Sequence, residues 1–535
     1  MRKLPIIHLL GLIFLFSCSN QHENTTEEYA LGGIKHQFPV SAEASADFDK
    51  GLLLLYSFEY VDANEAFLAA QTADKNEVMA LWGEAMCNYK ALWGRVDVDA
   101  GREVMAKLGS TTEERLAKTA DGLEREFWQG VEILYGEGEL KDRNEKYASH
   151  MENLYEKYPK DLEVAAFYSL GLMWANYGDQ EYLDKSAEVA AGIINENPTH
   201  PGGLHYMIHA NDDPKYAQMA IDAADKYAKV APDATHALHM PSHIYVALGM
   251  WNEVVSSNIE SYASSLDRIE RKGLDGTERG YHSMAWLHYG YLQQGNYDQA
   301  ALLLKEMMGY HEDGSASNSY TIVMQNEQRI ESGKWLAGVE PIDVNYNNLG
   351  LAGKSQKHFL RSLIAFDNNN ASIIEEEIET MHMHLETAKP LVGDDGIAVC
   401  SGGPTRFAPN RGQITKTNVV IHQMEALAAM LNNDDTAVEM HLKEAAKLEA
   451  SGSYDSGPPF IAYPSFEQYG DWLLTKDRAA EALVQFDQSL ENRTNRAKAL
   501  RGKIKALNML ERGEEAAEAQ KILDVFWQQG MMAMN

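Results

Sequence analysis

Six histidines stand in two short stretches of this chain, HPGGLHYMIHANDDP (200–214) and THALHMPSHIY (235–245). A neutral imidazole is the commonest protein ligand for a transition metal and the side chain that titrates nearest neutral pH. Spacing decides what such a group can do. His205 and His209 are i, i+4 and share one helix face; His236, His239 and His243 are i, i+3, i+7 and share another. Three or four converging ring nitrogens suit Zn, Cu, Ni or Fe(II). The same residues also fit a polar groove that binds a carboxylate or a peptide, or plain packing against carbonyls. The sequence contains no HExxH and no CxxC, so no single spacing decides among the three. Density favours a site: eight of the eighteen histidines fall between 200 and 288. Asp212 and Asp213, three and four residues after His209, can complete a metal shell or simply form a turn. Glu278 lies four before His282 and faces the same way if its helix starts early, or it is a charge at a helix start. Tyr206 and Tyr245 are read as wall or core residues.

The elements that must position these residues are helices. Ala, Leu, Glu and Lys recur at spacings of three and four, and Gly, Asn, Asp and Pro punctuate the runs. A period of 34 residues is present: Pro198 and Pro232, Ala220 and Val254, Ala482 and Ala516. The segments GMWNEVVSSN, GNYDQAALLL, RAAEALVQFDQSL and RGEEAAEAQKI resemble the turn and second helix of a tetratricopeptide repeat (TPR). VDANEAFLAAQTADKNEVMALWGEA (61–85) is a further copy, with Ala63, Phe67 and Ala70 at the second-helix positions. HPGGLHYMIHA, HALHMPSHIY, GPPFIAYPSFEQYGDWLL and SLENRTNRAKALRGKIKA together resemble a family of large bacterial TPR proteins, often secreted or lipoproteins. The resemblance implies an all-α fold, a right-handed superhelical solenoid of antiparallel helix pairs with a concave groove. It implies no particular activity. In that register His205 and His239 occupy repeat position 5, His209 and His243 position 9, and His236 and His282 position 2. The resemblance assigns those three positions to the groove wall. His200 and His288 fall out of register and are read as structural.

Two local choices oppose helix stability. Gly202 and Gly203 follow Pro201 in the first turn of their helix, each costing about 1 kcal/mol against Ala in a helix interior. Pro201 suits the first helical position. Pro241 falls between His239 and His243, where a proline in a helix interior costs about 3 kcal/mol. Conflicts of this kind collect at functional sites.

The remaining sequence sets the context. A formal net charge of −32 argues against nucleic acid, whose binding needs Lys and Arg to displace counterions. MRKLPIIHLLGLIFLFSC has a basic head, an apolar stretch shorter than a membrane span and a lipobox-like end. The expectation is a lipoprotein signal peptide over 1–18, acylation of Cys18, and an extracytoplasmic, lipid-anchored protein of the bacterial cell envelope. Residues 19–40 are read as a flexible tether, 41–310 as a TPR-like solenoid carrying the histidines, 311–414 as helices with a long loop, and 415–535 as C-terminal repeats. Cys87 reads as a buried thiol and Cys400 has no assignable partner. His382 and His384 are i, i+2 and do not share a face. Pro458, Pro459 and Pro464 stiffen the entry to a helix whose first turn carries Glu467. Two functions stay open: a metal-binding centre formed by His205, His209, His236, His239, His243 and His282, able to support hydrolysis or oxidation, or a non-enzymatic scaffold binding a protein or peptide in the same groove.

Overall fold

The computed structural model describes residues 30–311, 313–392 and 409–527. The signal segment, Cys18 and Cys400 lie outside the described residues. The chain is an all-α solenoid. Consecutive helices pack as hairpins from Ser45–Tyr56 and Tyr60–Ala73 through to Ala497–Met509 and Gly513–Asp524. A two-stranded hairpin, Tyr89–Lys90 against Arg95–Val96, is the sheet among the described residues. None of the described helices is long and apolar enough to cross a membrane.

Small and large residues interlock the repeats at both ends. The buried ring of Phe67 fills the space where Gly51 and Gly83 carry no side chain; a Cβ on either would stand 2.7 or 2.4 Å from it. Phe486 fills the same kind of gap between Gly470 and Gly502. Cys87 is buried, as expected, and burial pushes its thiol up.

Residues 30–40 dock on the repeats: Gly33 N–H donates to Thr199 O (2.9 Å), Asn197 Nδ2 donates to Gly33 O (2.8 Å), and Leu31 and Phe38 are buried. Two apolar anchors and paired backbone groups outweigh the polar composition around them. Between 311 and 392 the helices are Ser315–Ser332, Leu351–Asp367 and Ala371–Ala388, with a turn at 368–370 where FDNNNAS signals one. At the far end the chain returns to its middle. Trp251 Nε1 donates to Asn495 O (2.9 Å), and Ala497 N–H donates to Gln293 Oε1 (2.9 Å).

Candidate metal centre

The helix Pro201–Ala210 is capped by His200, whose Nδ1 accepts from Gly203 N–H (3.2 Å). Pro201 opens the helix, where its missing N–H costs nothing. Gly202 is required by a close approach: a Cβ there would meet Tyr56 at 2.7 Å. The second stretch is not one continuous helix. Thr235–His239 ends at Met240, and Pro241 starts Pro241–Leu248 as its first residue. The interior-proline penalty is avoided by breaking the helix between His239 and His243. The helix Tyr281–Gln293 supplies His282.

These helices gather the six histidines into two adjacent triads. His205, His209 and His236 offer one nitrogen each within 4.8 Å of one another, and so do His239, His243 and His282. Ring centroids of His209 and His243 are 6.2 Å apart across the boundary, and those of His236 and His239 are 6.3 Å apart. Each triad has an aromatic hub. Phe58 lies 4.4, 5.7 and 5.8 Å from His205, His209 and His236. Trp286 lies 4.8, 4.6 and 5.2 Å from His239, His243 and His282. Phe58 holds φ at 55°, a left-handed conformation costing a non-glycine residue about 1–2 kcal/mol. Strain of this kind persists where the surroundings fix it, often at functional sites.

The outer nitrogens are fixed by the protein. His205 Nδ1 donates to Tyr56 O (2.7 Å). His239 Nδ1 donates to Asn258 Oδ1 (2.8 Å), and Asn258 is oriented because its Nδ2 donates to Val254 O (2.8 Å). His243 Nδ1 donates to the carboxylate of Asp212 (2.7 Å). His282 Nδ1 meets Tyr320 Oη (3.0 Å). A proton on Nδ1 leaves Nε2 as a lone pair. For His205, His236, His239 and His243 that Nε2 is buried and has no partner among the described residues. An unpaired buried polar atom costs about 1–3 kcal/mol, so four together are a large penalty for mere packing. A carbonyl, amide or carboxylate on the far nitrogen is also how metal-bound histidines are held.

Electrostatics keeps the rings neutral. Burial pushes His205 down to about 3, and burial followed by mutual repulsion holds His209, His236 and His239 well below the ordinary imidazole range. Neutral imidazole is the ligating form. Glu59, whose carboxylate accepts from His236 N–H (2.7 Å), is pushed up to about 7 by burial.

The structure thus brings all six predicted residues together, but not along an open groove. His205, His209 and His243 are 0% exposed and His239 is 2% exposed. The loop carrying Tyr56, Phe58 and Glu59 closes over them. His200 and His288 stand apart, as their register predicts. His200 Nε2 lies 3.4 Å from Glu163; His288 reaches Gln328 (3.1 Å) and Glu327 (3.3 Å). Glu278 is not in the centre: Tyr281 starts the helix, and Glu278 sits before it, 3.7 Å from Arg268. Asp212 holds the ring of His243. Tyr206 is core, and Tyr245 is buried with its hydroxyl on Asp225 (2.8 Å). Tyr56, Phe58, Glu59, Asn258 and Trp286 escaped the sequence reading; the first three lie some 150 residues from their partners, with no spacing to betray them.

A cavity of about 680 Å³ reaches the second triad. His282, Trp286 and Tyr320 form one side, and the segment 451–461 forms part of the other. The proline-rich entry to Ser465–Thr475 therefore folds over this side of the centre. Glu467 lies in the first turn of that helix, as expected, and is 0% exposed and paired with Arg496 (2.5 Å).

No protein-family model matches the sequence, and no curated protein does. Among solved structures, the chain is similar to the TPR domain of P58(IPK) (11% identity, 88% of this chain and 99% of that one, TM-score 0.22). It is similar to yeast Tom70 (12%, 90% and 90%, TM-score 0.28) and to a human IFIT1 dimer with m7Gppp-AAAA (11%, 93% and 98%, TM-score 0.33). At these scores nothing about the chemistry of this chain follows from them.

Proposed function

We propose that this chain is a metalloprotein whose two triads hold two copper ions side by side, and that the pair performs two-electron redox chemistry on a small molecule. The observation that carries the proposal is the pairing of two three-histidine sets, in which Nδ1 of His205, His239 and His243 is engaged by the protein while the buried Nε2 of His205, His236, His239 and His243 has no partner among the described residues. Copper follows from charge. All six ligands are neutral, the carboxylate in direct contact with a ring among the described residues is Asp212 on His243, and four of the six rings are buried. Burying charge is costly, so two monovalent ions are favoured over two divalent ones. Cu(I) accepts three neutral nitrogen donors, whereas zinc takes a fourth ligand. In the divalent state copper heads the affinity order for such sites.

The six histidines would hold the two ions, and such a pair would supply two-electron chemistry, the number of electrons that removes two hydrogens from an alcohol or a diphenol and reduces dioxygen to peroxide. The cavity at His282 and Trp286 supplies the approach. Its wall carries Lys416 paired with Asp455 (2.7 Å), Arg493 paired with Glu449 (2.6 Å), Glu327 beside His288 (3.3 Å) and Arg411, together with several aromatic and proline residues. It suits a neutral or aromatic molecule. Acylation of Cys18 and residence outside the cytoplasm belong to the same proposal. A protein or peptide partner, the other use of such a solenoid, would dock away from these buried rings.

The test is anaerobic loading with Cu(I) followed by air-saturated buffer. One dioxygen consumed for every two coppers is expected. Failure to bind Cu(I) in buffer that removes adventitious metal, or oxygen uptake unrelated to bound copper, would overturn the proposal.

A further inference from the structure

A different cluster lies in the C-terminal half, on helices that take no part in the buried centre. His422 and Glu425 are one turn apart on Arg411–Leu431, and His441 faces them from Asp435–Ala450. His422 Nδ1 is 2.7 Å from Glu425 Oε2, His441 Nδ1 is 2.8 Å from that same oxygen, and the two nitrogens are 3.1 Å apart. His382 stands next to them on Ala371–Ala388, its Nε2 3.9 Å from the other oxygen of Glu425. All three central residues keep a partly exposed side chain, 29%, 23% and 18%.

Protons alone crowd this triangle. If both Nδ1 atoms carry hydrogen, one carboxylate oxygen accepts both, and the two N–H groups press on each other with their nitrogens 3.1 Å apart. If one does, the other nitrogen's lone pair faces the carboxylate charge at under 3 Å. A cation above the triangle satisfies the three atoms at once. The spacing also selects a geometry. Bonds of about 2.1 Å at right angles place ligand atoms about 3.0 Å apart, whereas tetrahedral angles place them about 3.4 Å apart. The observed edges of 2.7, 2.8 and 3.1 Å match three ligands on one face of an octahedron.

We propose that His422, Glu425 and His441 form a second, separate metal site, a two-histidine, one-carboxylate facial set for a single divalent first-row ion such as Fe(II), Co(II) or Mn(II). It differs from the buried centre in every respect that selects a metal. It carries an anionic ligand, it is open to water, and its free positions face solvent. The carboxylate offsets half the charge of a divalent ion, so this site does not share the buried centre's preference for a monovalent one.

The experiment uses the full chain, stripped of metal, with Co(II) as the probe. The wild-type protein should bind one more equivalent than His441→Ala and than Glu425→Gln. The equivalent lost should carry the weak visible absorption of five- or six-coordinate Co(II). Glu425→Gln keeps the shape of the side chain, and circular dichroism of both variants shows that they fold. Equal Co(II) stoichiometry in the wild type and both variants would overturn the site, as would an intense tetrahedral band for the lost equivalent. Cu(I) uptake by the buried triads is unchanged in either case, so the two metal proposals fail independently.

Discussion

Two of the buried polar clusters among the described residues are completed differently. Around Arg496, itself 0% exposed, the protein supplies the counter-charges: Glu331 and Glu467 pair with the guanidinium, Tyr289 accepts from it, and Ser489 donates to Glu467 (2.9 Å), while Glu467 Oε2 has no hydrogen bond among the described residues. Burial pushes Glu331 up, which eases the excess of carboxylate over cation. Around the six histidines the protein supplies only the outer half. Nδ1 atoms meet a carbonyl, an amide and a carboxylate, while four Nε2 atoms meet nothing among the described residues. His200 and His288, equally buried, have both nitrogens near a protein group. Burial therefore does not distinguish these groups; a carboxylate facing the second nitrogen of His200 and of His288 does.

The contrast breaks first under metal removal. Stripping copper should destabilise the chain by about 4 kcal/mol for each ion when free copper exceeds Kd a thousandfold. Calorimetry with and without a copper chelator reads it. Arg496→Met should cost about 3–5 kcal/mol in urea unfolding, because two buried carboxylates lose their cation. Its copper content should stay unchanged. Asp212→Asn should weaken copper at the second triad about 10–100-fold and leave the first triad as it was, read by competition with a Cu(I) chelator. Gly202→Ala should cost about 1–3 kcal/mol by pressing on Tyr56, whose carbonyl holds His205; thermal unfolding of the metal-free chain reports it.

The smallest effect is the pH response of the metal-free protein. His205 is held at about 3, below its ordinary 6.5. The unfolded chain therefore binds the proton first, and stability falls as pH drops from about 6.5 toward 3. His205→Gln should flatten that limb of the pH profile.

How much of this was legible in the sequence depended on whether the signal was local. Helical periodicity and the 34-residue repeat placed His205, His209, His236, His239, His243 and His282 on neighbouring helices. The repeat paired His205 with His239 and His209 with His243. The structure divides them otherwise, because His236 leans back to the first pair while His239 and His243 join His282. Pro241 marked a real discontinuity, but the chain resolves it with a helix break. Phe58 and Tyr56 close the centre from an N-terminal hairpin loop, and a contact across some 150 residues leaves no periodic trace. His422, Glu425 and His441 were missed because a lone i, i+3 pair looks like any solvated helix face until the next helix is placed against it.

The central claim is that each histidine triad holds one copper ion. Diffraction at the copper absorption edge, on crystals of the copper-loaded chain, tests it most directly. The account predicts two anomalous peaks, one bonded by His205, His209 and His236 and the other by His239, His243 and His282, at about 2.0–2.1 Å from the nitrogens. Copper-loaded crystals with no anomalous density within bonding reach of either triad would contradict it.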